Sequence, residues 1–170
     1  MRELSKHLRY FTCLALIFYT ANVENFANSV TQHNASEELK SLQSMMDSDE
    51  YDKALTRSQS ILLNAGQNNE LFLIASYYAG IASYHKKNYL QSSRYLLNYK
   101  SNEGISSLDE LANLYWGLNL VQLGYKVPAI HELRKFKKKY KDSFFYPEAV
   151  YHIALINYEY NSLSQSIEDL

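Results

Sequence analysis

Disulfide chemistry is closed to most of this chain, because its one cysteine, Cys13, lies in a leading stretch expected to be removed. Two prolines and five glycines in 170 residues leave few helix breakers, and with 46% hydrophobic content they favour a packed, helical body of ordinary domain size. No charge sign dominates, with 17 Lys and Arg against 18 Asp and Glu, so no global field steers the chain toward nucleic acid or an anionic membrane. The nucleophile-elbow pattern Gly-x-Ser-x-Gly, a phosphate loop and a dinucleotide glycine pattern are all missing. His7, His33, His85, His131 and His152 show neither His-x-x-x-His nor carboxylate-paired spacing, so no zinc site is expected. Asp47, Asp49, Glu50 and Asp52 cluster as in a calcium loop, but Asp52 stands where an EF-hand needs glycine, so they read as a capping cluster at a helix turn. The expectation is a protein that is not an enzyme and needs no cofactor or metal.

What the chain does have is tyrosine, 16 of them. A large apolar ring with a polar tip suits half-buried positions and wet binding surfaces.

Residues 1–29 read as a secretory signal. Arg2, Lys6 and Arg9 form a basic start, Tyr10 to Ala21 an apolar run, and Ala27-Asn28-Ser29 a cleavage site after Ser29. The run of about twelve residues falls short of the roughly 20 that span a bilayer as a helix. Cys13 sits near the start of the run, after Tyr10-Phe11-Thr12, and not behind it as a lipoprotein cysteine would. The alternative is an uncleaved first helix of a cytosolic protein. Asn34-Ala35-Ser36 is a glycosylation sequon that matters only in a eukaryotic secretory pathway.

A repeat runs through the remainder, residues 30–170. Small residues recur at Ala54, Ser92, Ala129 and Ser166, separated by 38, 37 and 37 residues. Leu42, Gly80, Gly117 and Ala154 precede them by twelve positions, and Ser58, Leu96, Leu133 and Leu170 follow by four. A mid-helix glycine costs about 1 kcal/mol relative to alanine, so Gly80 and Gly117 need a packing reason. A partner helix crossing closely at the small positions supplies it. Each copy is then an antiparallel helix pair, with copies at about 35–68, 69–106, 107–143 and an incomplete 144–170. Turn signals separate helices within pairs at Ser48-Asp49-Glu50, Lys86-Lys87-Asn88, Leu123-Gly124-Tyr125 and Tyr160-Asn161-Ser162. Pro128 and Pro147 fall in first helical turns, where a missing N–H is harmless. Gly80, Ser92, Gly117, Ala129, Ala154 and Ser166 are the predicted packing residues.

Trp116-Gly117, Leu120, Ala129, Leu133 and Phe136, with Ala79-Gly80, Ser83, Ser92, Leu96 and Tyr99 one copy earlier, resemble the tetratricopeptide repeat family. The period exceeds the family's 34 residues, and the closing proline is replaced by Lys141. The resemblance covers roughly residues 35 to 170 and implies an all-α, right-handed α-solenoid of about 3.5 copies. Phe136 to Ser143, then Tyr146-Pro147-Glu148-Ala149 and Ile153-Ala154, are similar to exported bacterial tetratricopeptide proteins of outer-membrane assembly and envelope coordination. That likeness implies a periplasmic scaffold that binds envelope or secreted proteins. A cytosolic tetratricopeptide chaperone holding secretion substrates is the alternative.

First helices of such pairs line a concave surface. The family's groove positions carried onto this chain are Tyr77, Ile81, Tyr84 and His85; Leu114, Leu118, Val121 and Gln122; and Tyr151, Leu155, Tyr158 and Glu159. The first copy contributes Leu39, Gln43, Met46 and Asp47. Apolar periodicity alone does not separate groove from core. The charge run Arg134, Lys135, Lys137, Lys138, Lys139 and Lys141 reads as a solvated face near a helix C-terminus, not as a nucleic-acid site, and membrane association is expected only indirectly or through an uncleaved N-terminus. The incomplete last copy predicts an exposed end or self-association.

Overall fold

A computed structural model describes residues 35–65, 69–102 and 104–168, with side chains as far as residue 160. The expected signal at residues 1–29 lies outside these residues. The chain divides into two compact units, residues 1–40 and 41–170. In the first, residues 35–40 are helical and Ala35 is buried.

Seven helices and no strand occur among the described residues. They are α1 (residues 35–47), α2 (Tyr51–Asn64), α3 (Asn69–His85), α4 (Tyr89–Ser101), α5 (Asp109–Gln122), α6 (Lys126–Lys139) and α7 (Tyr146–Glu168). Within the second unit, helices adjacent in sequence pack on one another from α2 to α7, and α3 also meets α5, as α5 meets α7. The result is an all-α, repeat-like bundle.

Three turns with one geometry set the hairpins. Asp49, Lys87 and Gly124 take φ of 56°, 60° and 78°, each two residues past the end of a first helix. The next residue's N–H reaches back to a helical carbonyl: Glu50 to Met45 at 2.8 Å, Asn88 to Ser83 at 2.9 Å and Tyr125 to Leu120 at 2.9 Å. The left-handed residue closes the inner bond in each case, to Met46, Tyr84 and Val121. These are Schellman caps, repeated at the spacing of the sequence copies. Only the third uses glycine; Asp49 and Lys87 accept the left-handed strain, of order 1 kcal/mol, because the following helix packs back.

The packing residues explain why the three sequence registers travel together. Ser92 Oγ donates to the Gly80 carbonyl at 2.6 Å, so α3 and α4 touch backbone to side chain. A Cβ at Gly80 would stand 2.7 Å from Leu96 Cγ, and one at Gly117 would stand 2.6 Å from Leu133 Cδ2. Each glycine therefore makes room for the leucine sixteen residues on. Leu96, Ala129 and Leu133 are fully buried. The first hairpin exchanges the sizes: Leu42 replaces the glycine and Ser58 the leucine, both buried, so the summed volume is kept. Asn119, also fully buried, donates to Ser92 Oγ at 2.7 Å and to the Tyr115 carbonyl at 2.9 Å, linking the second hairpin to the third.

Two further braces join α4, α5 and α6. Tyr99 Oη lies 2.7 Å from the Ile105 carbonyl oxygen and 2.9 Å from Asp109 Oδ1, holding the α4–α5 loop. Lys100 donates to Asn113 Oδ1 at 2.9 Å, approaches Glu132 at 3.4 Å and lies over the Trp116 ring. Burial holds Lys100 below the usual lysine range, against the opposing pull of Glu132.

The fourth turn departs from expectation. Helix α7 runs unbroken from Tyr146 to Glu168, straight through Tyr160-Asn161-Ser162. Ala154 is exposed, with no second helix of its own pair among the described residues, and Ser166 lies on the same helix, twelve residues along. The physical reason is that a Schellman cap is held by the helix that returns. With no glycine or proline at residues 160–162 and no returning helix among the described residues, helix continuation wins.

Candidate functional site

Helices α1, α3 and α5 turn one face of each toward a common cleft in the second unit. Its walls are Gln43, Met46 and Asp47 from α1, Tyr51 from the start of α2, and Tyr77, Tyr78, Ile81 and His85 from α3. Leu111 and Tyr115 from α5 and Phe145 from the α6–α7 loop complete it. Its volume is about 170 Å³. Cofactor and drug-like pockets run roughly 300–1,000 Å³, so this cleft suits one or two inserted side chains.

Rings dominate the walls. Tyr51 and His85 stack with centroids 4.3 Å apart and planes within 1°. Tyr84 meets Tyr115 edge to face at 4.9 Å, and Tyr77 meets Tyr78 at 4.8 Å. Polar atoms sit at the tips and bind one another: Tyr78 Oη donates to Gln43 Oε1 at 2.7 Å, Gln43 Nε2 donates to Asp47 at 2.7 Å, and His85 Nε2 lies 2.9 Å from Tyr115 Oη. Tyr51 Oη donates to Asp49. Burial pushes the Tyr115 hydroxyl up to about 12, helped by the Glu148 charge, so it stays a neutral donor and acceptor. Such a surface offers flat apolar contact with hydrogen bonding at its edges.

The predicted groove residues do not share one surface. Gln43, Met46, Asp47, Tyr77, Ile81 and His85 line the cleft. Leu114 and Leu118, 1% and 2% exposed, are core: they pack with Leu133, Phe136, Ala149 and Ile153, and Val121 and Tyr84 pack against that cluster. Gln122 is exposed at the end of α5, and Leu39 is half-buried in the first unit. Tyr151, Leu155 and Tyr158 are 61%, 37% and 71% exposed on α7, away from the cleft. They stand one period after Leu114, Leu118 and Val121 and two after Tyr77, Ile81 and Tyr84. On α5, Leu114 and Leu118 are covered by Leu133 and Phe136 of α6 and by Ala149 and Ile153 of α7; on α7 the described residues supply no such cover.

Sequence reading missed Tyr51, Tyr78, Leu111, Tyr115 and Phe145 as cleft walls. Their signal was present one residue away: Tyr78 and Tyr115 are 37 apart, like Tyr77 and Leu114, but on the neighbouring strip of each helix. A scan of family models, a search of curated proteins and a search of solved structures each return no match for this chain. Among the described residues no group of His, Cys, Asp or Glu could hold a metal ion, and no helix is long and apolar enough to cross a membrane.

His85 at the cleft and His152 on α7 share an electrostatic condition. Burial lowers both imidazoles, opposed by Asp49 at His85 and by Glu148 at His152. Between the lowered folded value and the unfolded value of about 6.5, the unfolded chain binds more protons. Stability is therefore full above that range and falls as pH drops through it. The melting temperature is expected to decline between pH 7 and pH 5, and His85→Phe, which keeps the stack on Tyr51, should flatten part of that decline. A variant melting profile with the same pH slope as wild type would contradict this.

Proposed function

We propose that the chain is a non-enzymatic protein-interaction scaffold of the tetratricopeptide type, which holds a segment of another protein in the cleft of α1, α3 and α5. The observation that carries this reading is the cleft itself. Alternate helices build it, rings and aliphatic side chains wall it, and its volume accepts side-chain anchors while excluding a cofactor-sized ligand. An extended or helical segment with one or two apolar anchors fits such a surface. The hairpin repeat with close small-residue contacts supports a right-handed solenoid of the tetratricopeptide kind. The N-terminal signal pattern supports export, and with the resemblance of residues 136–154 it favours a bacterial envelope scaffold, with outer-membrane assembly as the suggested setting. The alternative is a cytosolic chaperone for secretion substrates; an intact Met1 on cytoplasmic protein would favour it. Affinity capture with wild type and with His85→Ala tests the cleft: partners should be retained by the first and lost by the second.

A second reading rests on α7. Tyr151, Leu155 and Tyr158 form an i, i+4, i+7 stripe at positions that are packed into the core in the hairpin of α5 and α6. Self-association through this stripe is expected to give dimers by light scattering, abolished by Tyr151→Ser with Tyr158→Ser. A wild-type monomer at high concentration would sink it.

A further inference from the structure

The α6 charge run divides into paired cations and cations that line a hollow. Lys135 pairs with Glu132 at 2.8 Å, Lys100 approaches the same Glu132, and Lys139 faces Asp109 at 3.9 Å. Among the described residues no ion pair holds the other four. Arg134, Lys137, Lys138 and Lys141, with the Tyr146 ring, line an open hollow of about 350 Å³ that contains no acidic wall residue. Lys137 lies over the Tyr146 ring, its ammonium 5.6 Å from the centroid, which fixes one cation in place. Helix-terminus electrostatics accounts for cations in the last turn of α6. It does not account for four that converge on one hollow, nor for the residue beside them.

That residue is Phe144, between Lys141 and Tyr146 in the α6–α7 loop and 89% exposed. Its ring meets the ring of Phe145 edge to face, and Phe145 lines the cleft. A protruding aromatic ring flanked by unpaired cations is the pattern that places a ring at the acyl boundary and cations on headgroup phosphates. A single-stranded nucleic acid would need successive stacking platforms along a charged track, and here Tyr146 is already covered by Lys137, leaving one free ring. We propose that Arg134, Lys137, Lys138, Lys141 and Phe144 form a docking site for an anionic membrane surface, with lipid phosphates in the hollow and Phe144 inserted among the acyl chains.

Vesicle co-sedimentation of the full chain tests this, reading the ratio of partitioning onto phosphatidylglycerol-containing vesicles to that onto phosphatidylcholine alone. Any contribution from residues 1–29 is common to wild type and variants. Arg134→Gln, Lys138→Gln and Lys141→Gln together should lower the ratio about a hundredfold, each cation near a headgroup layer being worth a factor of about five. Lys53→Gln, Lys87→Gln and Arg94→Gln, equal in charge but elsewhere, should leave it near wild type. Phe144→Ala should weaken anionic-vesicle binding about tenfold without moving the melting temperature. An unchanged ratio in the first triple variant, an equal fall in the second, or a neutral Phe144→Ala would overturn the proposal. So would displacement by inorganic phosphate at matched phosphorus, or tighter binding to a single-stranded oligonucleotide, either of which assigns the hollow to that ligand.

Discussion

Gly80→Leu is expected to destabilise the fold by more than about 3 kcal/mol, and Leu96→Ser by about 3–5 kcal/mol, yet the double variant should recover at least about 2 kcal/mol of the summed loss. The reason is the exchange of sizes between hairpins. A side chain at Gly80 would drive into Leu96 Cγ at 2.7 Å and Cδ2 at 2.8 Å, and Leu96 is fully buried with nowhere to move. The first hairpin carries the opposite arrangement, Leu42 with Ser58, also fully buried. If the hairpins share one packing scheme, the second can adopt the first one's pairing. Urea denaturation of the four proteins measures the coupling. Strictly additive losses would show that Gly80 and Leu96 do not share a site.

Leu118→Ala and His85→Ala should separate fold from recognition. Both were groove candidates by sequence. Leu118 lies in the cluster of Leu114, Leu133, Phe136, Ala149 and Ile153, so truncating it leaves a cavity in a sealed core and should cost about 2–5 kcal/mol. A domain of this size holds only about 5–15 kcal/mol in all, so the melting temperature should fall by many degrees. Any binding loss should follow unfolding and be recovered on cooling. His85 is exposed at the cleft edge, where its losses are the Tyr51 stack and the Tyr115 contact. Removing it should cost about 1 kcal/mol while weakening partner retention tenfold or more at any temperature below melting. Calorimetry beside affinity capture reads both. A stable Leu118→Ala protein that had lost its partner would return Leu118 to the groove.

These contrasts mark how far the sequence was legible. The small positions were readable because glycine inside a helix has few explanations, and steric contact with Leu96 and Leu133 is the one found. The turns at Asp49, Lys87 and Gly124 were readable because the capping chemistry recurs with the period. On α5 the groove candidates Leu114 and Leu118 lie in the core, and Leu111 and Tyr115 line the cleft in their place. Helix α3 is buried without interruption from Leu73 to Ser83, so it has no polar face to fix its phase, and Tyr77 and Tyr78 compete for the same role. On α5, Leu114 and Tyr115 pose the same choice, settled by the packing of α6 and α7 on Leu114. The turn at Tyr160-Asn161-Ser162 failed for a different reason: its local signal needs a returning helix to complete it, and α7 continues instead.

The charge run has a similar history. Six cations in a row of eight residues read as one solvated face. Only the structure divides them into those answered by Glu132 and Asp109 and those left around a hollow beside Phe144. The chain thereby acquires two chemically distinct faces on either side of the loop at residues 140–145, with Phe145 turned to the cleft and Phe144 to solvent.

Photo-crosslinking tests the central claim most directly, that the cleft of α1, α3 and α5 receives a segment of another protein. A photoreactive phenylalanine placed at Gln43 or at His85, both cleft walls, should yield a covalent adduct with a protein partner in the source cell's extract. The same residue at Arg94, exposed on α4 and outside the cleft, should yield none. Equal adducts from Arg94 and the cleft positions, or adducts from Arg94 alone, would contradict the account.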